Sequence, residues 1–364
     1  MSQPEVPTPP WLDVAGYPFR RAVHDVAGHR VHTVDHGEGP TLLLLHGNPT
    51  WSYVWRDVIA RLDDRFRCVA PDLPGLGLSQ APPGFDGRPA SHAHVLEELV
   101  RRLDLRDVVL VAQDWGGPVG LRLVQRMPER FSGLALGNTW AWPVTGDRHF
   151  ERFSALVGGP VGRALARRAN VVARVMVPLG HRLRRPTAAE LRQYRAPLTT
   201  PERRAATSVL AREITGSATF LAEVEQGLPA LRHLPALLLW ADRDIAFRTA
   251  ELGRWRRELP DATVVPLPGA GHLLQSDAPA AFADALAAAV RVLLLTTDVA
   301  HVVVGGGVSE LGAPLLAVLR DELDRQARDS AFLATMQMAE RVTLAPRGVP
   351  VGAVGAALVG RRES

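Results

Sequence analysis

The stretch VVLVAQDWGGPVG at residues 108–120 decides how this chain folds. An apolar run of strand length, residues 108–112, leads into Asp114, two glycines and a helical pattern that continues to Met127. A strand, a sharp turn and a helix in this order are typical of the nucleophile elbow G-x-S-x-G, but here the central residue is an aspartate. A carboxylate nucleophile attacks alkyl carbon and leaves an ester on the protein. This chain is therefore distinguished from serine esterases and lipases.

Short apolar runs, each followed by a turn and a helical pattern, lie on both sides of this stretch. Alternating strands and helices predict an α/β fold whose mostly parallel sheet is covered on both faces. The chemistry of such sheets gathers at the carboxyl ends of the strands. The predicted strands are an edge hairpin at 19–35 and the runs 41–45, 66–70, 108–112, 134–136, 236–240 and 263–266.

The alternating pattern stops at about residue 140, and only helical stretches follow as far as residue 229. We therefore expect residues 1–139 and 230–292 to form the core and residues 140–229 to form a helical cap over the strand ends. Residues 293–364 change character and are expected to form an extra C-terminal α/β fragment. Trp140, Trp142, Phe150 and Phe153 either line an apolar pocket under the cap or serve ordinary packing.

Composition and charge exclude several classes of function. The chain has 364 residues, 46% of them hydrophobic and 22% charged, as in ordinary globular proteins. All 42 basic residues are arginines, so neither a lysine Schiff base nor a Walker-type lysine is available. Residues 151–204 contain twelve arginines and three glutamates. Because these arginines show neither the regular aromatic interleaving nor a motif of nucleic-acid-binding proteins, they indicate a solvated helix surface and no nucleic-acid partner.

The sequence also indicates in which cellular compartment the protein lies. The single cysteine, Cys68, lies in a strand-like run and cannot form an internal disulfide, so we expect a buried, inert thiol. The first ten residues are proline-rich and show no apolar signal-peptide region. No apolar run approaches the roughly 18 residues that span a bilayer. These features predict a cytoplasmic protein with no membrane partner.

Reactive side chains follow several of the predicted strands. In chain order they place an aspartate at the elbow, then acidic residues, then a histidine, which is the order of the α/β-hydrolase fold. The loops concerned are His46–Trp51, Pro71–Ser79, Asp114-Trp115, Ala241–Asp244 and Gly269–His272.

Four stretches together resemble the haloalkane dehalogenases over residues 10–292, namely His46–Trp51, Pro71–Ser79, Asp114-Trp115 and Gly269–Leu274. Asn48 and the pair Asp114-Trp115 are the most specific match. The resemblance implies an α/β-hydrolase fold and hydrolysis of a small apolar halogenated substrate by water, giving an alcohol and a halide ion. It implies no metal and no organic cofactor. Asp114 would be the nucleophile and His272 the base that activates water. The indole of Trp115 and the side-chain amide of Asn48 would bind the halide, and the backbone N–H groups of the same two residues would form the oxyanion hole.

The third member of the catalytic triad is less clear from sequence. Relatives place this acid after the strand that ends near Trp240 or after the one that ends near Leu136. The second location offers only Asn138, whereas the first offers Asp242 and Asp244. Spacing and comparison with relatives favour Asp244, and Asp242 remains the alternative.

Three other functions are alternatives to the dehalogenation of haloalkanes. An epoxide hydrolase would use the same aspartate and histidine, but it needs two cap tyrosines, and only Tyr194 of the three tyrosines lies in the cap. A fluoroacetate-type dehalogenase would fit the basic cap. A non-enzymatic binding protein on the hydrolase fold is the third alternative.

The C-terminal region carries a second resemblance. Residues 301–312 and 352–357 resemble the end of ROK-family sugar kinases, with a V-V-x-G-G-G-V-S-E-L-G turn and a G-A-V-G-A-A finish. The catalytic base and phosphate-binding lobe of those kinases have no counterpart here, so we expect no phosphate transfer. A fusion of two genes or a reading-frame error explains the segment best, and self-association is the role it would most easily serve.

Overall fold

A computed structural model of the chain describes residue 6 and residues 8–297, 302–304, 312–328 and 338–344. The chain divides into two compact units, Met1–Ala289 and Val290–Ser364. The strands of the first unit are β1 Arg21–Val26, β2 His29–His36, β3 Thr41–Leu45, β4 Arg67–Pro71, β5 Val108–Gln113, β6 Phe131–Gly137, β7 Ala236–Ala241 and β8 Thr263–Leu267. Its helices are α1 Arg56–Leu62, α2 Pro89–Arg102, α3 Gly116–Arg126, α4 Arg148–Gly158, α5 Pro160–Ala169, α6 Val171–Leu179, α7 Ala188–Arg195, α8 Pro201–Gly216, α9 Ala218–Gly227, α10 Thr249–Glu258, α11 Leu274–Asp277 and α12 Pro279–Thr297, which extends beyond Ala289.

Among the described residues of the first unit, eight strands form one sheet in the order β1-β2-β4-β3-β5-β6-β7-β8. The pairs β1–β2 and β2–β4 are antiparallel, and all other pairs are parallel. The register places Leu110 beside Leu43 on one side and Leu134 on the other. Every residue of β5 is buried, as a strand covered on both faces requires. The predicted α/β fold with a mostly parallel sheet is confirmed.

Helices α4–α9 lie in sequence between β6 and β7, within the region predicted to be the cap. Several begin at a side chain that accepts a hydrogen bond from the first turn, including Asp147 before α4 and Thr200 before α8. Arginine side chains also stabilise this region by donating to backbone carbonyl oxygens. Arg203 on α8 donates to the carbonyls of Gly77 and Ser79 in the core, at 2.7 and 2.9 Å. Part of the arginine excess therefore fixes α8 to the loop that follows β4.

The second unit contains a small parallel pair of strands. These are β9 Val302–Val304 and β10 Val342–Leu344, accompanied by α13 Ala313–Arg328 and α14 Met338–Arg341. The predicted glycine turn after β9 and the 352–357 finish lie outside the described residues. The predicted boundary after residue 292 falls within α12.

Two further sequence expectations can be compared with the structure. Cys68 is fully buried in β4, and burial raises the pKa of its thiol to about 12, which leaves it protonated and unreactive. None of the helices in the described ranges combines the length and apolar character needed to cross a membrane.

Candidate active site

Asp114 lies at the sharp turn between β5 and α3, with a backbone φ of 52°. This left-handed conformation is uncommon for a residue other than glycine and is held here by its neighbours. The Thr139 hydroxyl donates to the Asp114 carbonyl at 2.7 Å, and the Asp114 N–H donates to the Asn138 carbonyl at 3.2 Å. A Cβ atom at Gly47 would overlap the Asp114 carboxylate, and one at Gly116 would overlap the carbonyl of Leu45. The glycines thus allow the two loops to approach closely.

The carboxylate of Asp114 is oriented by backbone donors. The N–H of Asn48 donates to Oδ1 at 2.8 Å, and the N–H of Trp115 also bonds to the carboxylate. Burial raises the pKa of the Asp114 carboxyl, while nearby His272 and these two N–H groups limit the rise. Oδ2 is left directed toward His272. The structure thus brings together both backbone groups that the sequence suggested for the oxyanion hole.

His272 lies between two carboxylates. Its Nε2 is 3.8 Å from Oδ2 of Asp114, and its Nδ1 is 3.0 Å from Oδ2 of Asp244. Burial lowers the pKa of the imidazole, but the charges of Asp244 and Asp114 and the hydrogen bond to Asp244 outweigh it and raise the pKa to about 9. The arrangement of aspartate, histidine and aspartate is that of a nucleophile, a base and an orienting acid.

The geometry distinguishes the two candidate acids. Asp244 has no exposed side-chain surface and contacts His272, whereas exposed Asp242 accepts a hydrogen bond from the Gly269 N–H at 2.6 Å. Asn138 donates to Oδ2 of Asp244 at 2.7 Å, and its own Oδ1 accepts from the N–H of Ala241. Sequence reasoning noted Asn138 only as a missing acid. The amide instead links the end of β6 to the acid that follows β7.

The two side chains suggested as halide donors are already hydrogen-bonded. Nδ2 of Asn48 donates to the Thr207 carbonyl at 2.8 Å, and Nε1 of Trp115 donates to the Leu210 carbonyl at 3.0 Å. Both acceptors lie on α8, three residues apart and therefore on one face of the helix. Both donor side chains also line the same cavity as Asp114. A halide bound here would replace the Leu210 carbonyl as the acceptor of the single indole N–H of Trp115, whereas the NH₂ group of Asn48 has a second hydrogen besides the one that bonds to Thr207.

The cavity over Asp114 is mainly apolar, and its volume is about 70 Å³, measured as the space open to the centre of a water molecule. Trp140, Phe150 and Phe153 line it, whereas Trp142 packs against Trp255 outside it. The remaining lining residues are Asn48, Pro49, Trp115, His149, Val172, Met176, Ala211, Ile214, Ile245, Ala246, Phe247, His272 and Leu273. Such a lining suits a small apolar molecule. Across the described residues, no group of three or more His, Cys, Asp or Glu side chains could hold a metal ion.

The tyrosines bear on the epoxide alternative. Tyr194, the cap tyrosine, is buried and its hydroxyl accepts from Arg56 at 3.4 Å. Tyr17 and Tyr53 are also buried, and none of the three lines the cavity that contains Asp114. No tyrosine is therefore placed to protonate an epoxide oxygen there.

An aspartate at a strand–turn–helix elbow, beside a histidine and under a helical cap, defines a hydrolase of the α/β-hydrolase class. The family described as alpha/beta hydrolase fold matches residues 40–279, and the chain belongs to it. Within this class the chain belongs to the haloalkane dehalogenases, enzymes that hydrolyse carbon–halogen bonds. It is 38% identical over 276 residues to haloalkane dehalogenase 2 of Mycobacterium tuberculosis, covering 75% of this chain and 94% of that relative.

One solved structure and one further relative are also similar to this chain. The crystal structure of haloalkane dehalogenase DbeA from Bradyrhizobium elkani USDA94 matches with a TM-score of 0.70 and 28% identity, covering 77% of this chain and all of that one. The cis-3-alkyl-4-alkyloxetan-2-one decarboxylase of Xanthomonas campestris is 30% identical over 280 residues, covering 72% of this chain and 93% of that relative. Sequence reasoning did not consider this second activity.

Proposed function

We propose that this chain hydrolyses small haloalkanes to alcohol and halide through an ester formed on Asp114. The observation that carries the proposal is the position of that carboxylate. It lies at an apolar cavity, with Oδ1 bonded to the Asn48 N–H at 2.8 Å and Oδ2 facing His272. One oxygen is therefore held by the backbone while the other is available to attack.

In the first step, Oδ2 of Asp114 attacks the carbon that bears the halogen, from the side opposite the halogen. The new C–O bond forms as the C–halogen bond breaks, and the bonding electrons leave with the halide. Trp115 Nε1 stabilises the departing charge by exchanging the Leu210 carbonyl for the halide, and Asn48 Nδ2 does so with its second hydrogen. Hydrogen bonds to a charged group contribute about 1.5–3 kcal/mol each, against which the loss of the Trp115–Leu210 bond must be set.

In the second step, water attacks Cγ of the ester. His272 Nε2 takes the proton of this water, and Asp244 stabilises the imidazolium through Nδ1. The negative charge on Oδ1 is stabilised by the backbone N–H groups of Asn48 and Trp115. When the tetrahedral intermediate collapses, the alcohol leaves with the proton from His272. The Asp114 carboxyl group, which now contains the oxygen of the water, then loses its remaining proton to solvent and is restored as a carboxylate.

A substrate panel tests this function on the purified full-length chain. 1-Bromobutane and 1,2-dibromoethane should release bromide and acid, and Asp114→Ala should release neither. Asp242→Ala is the matched control, because its carboxylate is exposed and bonded to Gly269 outside the triad. If folded protein opens epoxides or cleaves fluoroacetate without acting on bromoalkanes, the proposal is wrong.

The similarity to the oxetan-2-one decarboxylase supports a second candidate. That relative's substrate is a four-membered lactone, whose decarboxylation divides it into carbon dioxide and an alkene. The apolar cavity beside Asp114 would also accept alkyl chains. A cis-3,4-dialkyl oxetan-2-one therefore belongs in the same panel. Alkene formation with no bromide release from any haloalkane would favour this candidate over dehalogenation.

We infer that the sugar-kinase-like segment, residues 293–364, has no phosphate chemistry and is dispensable for hydrolysis. About three quarters of this chain covers 93% or more of the length of the dehalogenase and decarboxylase relatives named above, and the family match ends at residue 279.

We also propose a cytoplasmic location and self-association. The apolar side chains exposed on the cap, among them Leu156, Val161 and Leu165, are candidates for a contact between copies. Light scattering that gives a monomer mass at every protein concentration would contradict this association.

A further inference from the structure

Gln113 is the last residue of β5 and immediately precedes Asp114. Its side chain is completely buried. A buried amide that lacks partners is costly, so the positions of its hydrogen-bond partners determine its orientation.

Two contacts fix which end of this amide faces the active site. Nε2 of Gln113 donates to the backbone carbonyl of His272 at 3.1 Å, and Oε1 accepts from Nε2 of Gln275 at 3.3 Å. A carbonyl oxygen can only accept a hydrogen bond. The NH₂ end of Gln113 must therefore face His272, because a flipped amide would place two oxygens together.

The same NH₂ group lies 3.2 Å from Nε2 of the His272 ring. It carries two hydrogens, and the His272 carbonyl uses one of them. The second is available to the ring nitrogen, which must then be an unprotonated acceptor. The ring proton is consequently on Nδ1, where Asp244 accepts it at 3.0 Å. Both neighbours select the same neutral tautomer, the one that a base attacking through Nε2 requires.

We propose that Gln113 is a positioning residue that opposes protonation of His272 at Nε2 and directs the Nε2 lone pair toward the ester of Asp114. The inference rests on the proposed function for its catalytic meaning, although the tautomer follows from the contacts alone. If Nε2 of His272 became protonated, its N–H would lie beside an NH₂ group, 3.2 Å away, that cannot accept a hydrogen bond, which disfavours the charged ring. Gln113 thus opposes the two carboxylates, Asp244 and Asp114, that favour the imidazolium.

The opposing effects of Gln113 and the two carboxylates on the charge of His272 matter in the second chemical step. The attacking water must replace Gln113 as the donor to Nε2, after which its proton moves onto that nitrogen and its oxygen bonds to Cγ of Asp114. The imidazolium that results faces an N–H group, so its proton is returned readily to the departing alcohol. Gln113 therefore favours both the neutral base at the start and the return of the proton at the end.

The test is a pH titration of ¹⁵N-histidine-labelled full-length protein by NMR. Wild-type His272, assigned by the signals lost in His272→Ala, should show an unprotonated Nε2 and a protonated Nδ1 in its neutral form. Gln113→Met removes the donor while nearly keeping the volume. It should raise the midpoint of the His272 titration by about one pH unit, and the low-pH limb of kcat should move by the same amount. Gln275→Met is the matched control, because Gln275 is equally buried but contacts Gln113 and not the His272 ring.

The outcomes separate the two proposals. An unshifted midpoint in Gln113→Met, an equal shift in Gln275→Met, or a wild-type ring protonated at Nε2 would each overturn the role of Gln113. Loss of kcat at every pH without a shift would show a merely structural role. The wild-type spectrum decides the tautomer even if a variant does not fold. If the wild type releases no halide, the proposed function fails, while the titration still tests Gln113.

Discussion

At the scale of single residues, the site depends on how two oxygens of one carboxylate are distinguished. Oδ1 of Asp114 is bonded to the Asn48 N–H, and Oδ2 faces Nε2 of His272 at 3.8 Å. The left-handed backbone of Asp114 permits this by directing the side chain out of the turn toward the cavity. Formation of the ester and its hydrolysis consequently depend on different neighbours of the same side chain.

Removing the base should separate the two steps. In His272→Ala, Asp114 can still attack the haloalkane, but water is no longer activated, so one halide should be released for each protein molecule. Loss of a positioned base typically costs about 10²–10⁴-fold in rate. Intact-mass spectrometry should show the alkyl group retained on Asp114, whereas His149→Ala, which removes another histidine of the cavity, should give no retained adduct. Sustained turnover by His272→Ala would contradict the assigned base.

The pH dependence should separate the same steps in the wild type. The pKa of His272 is raised to about 9, so the ring becomes charged, and is lost as a base, as the pH falls through that value. Turnover should therefore rise with pH toward about 9 and decline below it. Attack by Asp114 needs only an ionised carboxylate, so at a pH below about 9 that still leaves Asp114 ionised the ester should accumulate, and a single burst of halide should precede slow turnover. More adduct at about pH 9 than at this lower pH, measured by intact mass after rapid quenching, would oppose this assignment.

At the scale of elements, α8 joins the cap to the site through the carbonyls of Thr207 and Leu210. Strand and helix patterns around 108–127 were sufficient to predict the elbow, and the alternating runs between residues 19 and 266 were sufficient to predict the sheet. They could not predict these contacts, because the pairs Asn48–Thr207 and Trp115–Leu210 are 159 and 95 residues apart. Asn138 and Gln113 were missed for a similar reason. The sequence shows an amide, but only the fold shows which donor or acceptor it faces.

Bromide binding tests the exchange of acceptors at α8. Heavy halides quench indole fluorescence on contact, so bromide that replaces the Leu210 carbonyl should quench Trp115 in a saturable manner. Trp115→Phe should remove the saturable component, and Trp11→Phe, which changes a tryptophan outside the cavity, should retain it. A titration with only linear, collisional quenching in the wild type would show that these donors do not bind the ion.

At the scale of the whole molecule, the catalytic residues and the cavity belong entirely to the first compact unit, Met1–Ala289. The second unit holds its own strand pair, β9 with β10. Neither Asp114, His272 nor Asp244 hydrogen-bonds to any described residue beyond Ala289. We therefore expect hydrolysis to need only the first compact unit.

A chain ending at Thr297, the last residue of α12, should retain activity. We expect kcat and KM for 1-bromobutane within about twofold of the full-length values, because no catalytic contact is removed. Ending the chain at Phe282 is the contrasting control, since it cuts α12 and removes Leu286, which is fully buried. That shorter chain should have a clearly lower Tm. A large loss of kcat in the chain ending at Thr297, with an unchanged Tm, would assign a catalytic role to the C-terminal segment.

The contacts of α8 also mean that the donors in this cavity need never be without an acceptor. Before the reaction Asn48 and Trp115 hold main-chain oxygens, and during it they hold the expelled anion. After the halide has left, the carbonyl groups of α8 can again accept hydrogen bonds from these donors. Chloride from the surrounding medium must then compete with carbonyl groups that belong to the same chain and therefore always lie near the donors. Tolerance of ordinary salt, and prompt release of the product ion, would both follow from that competition.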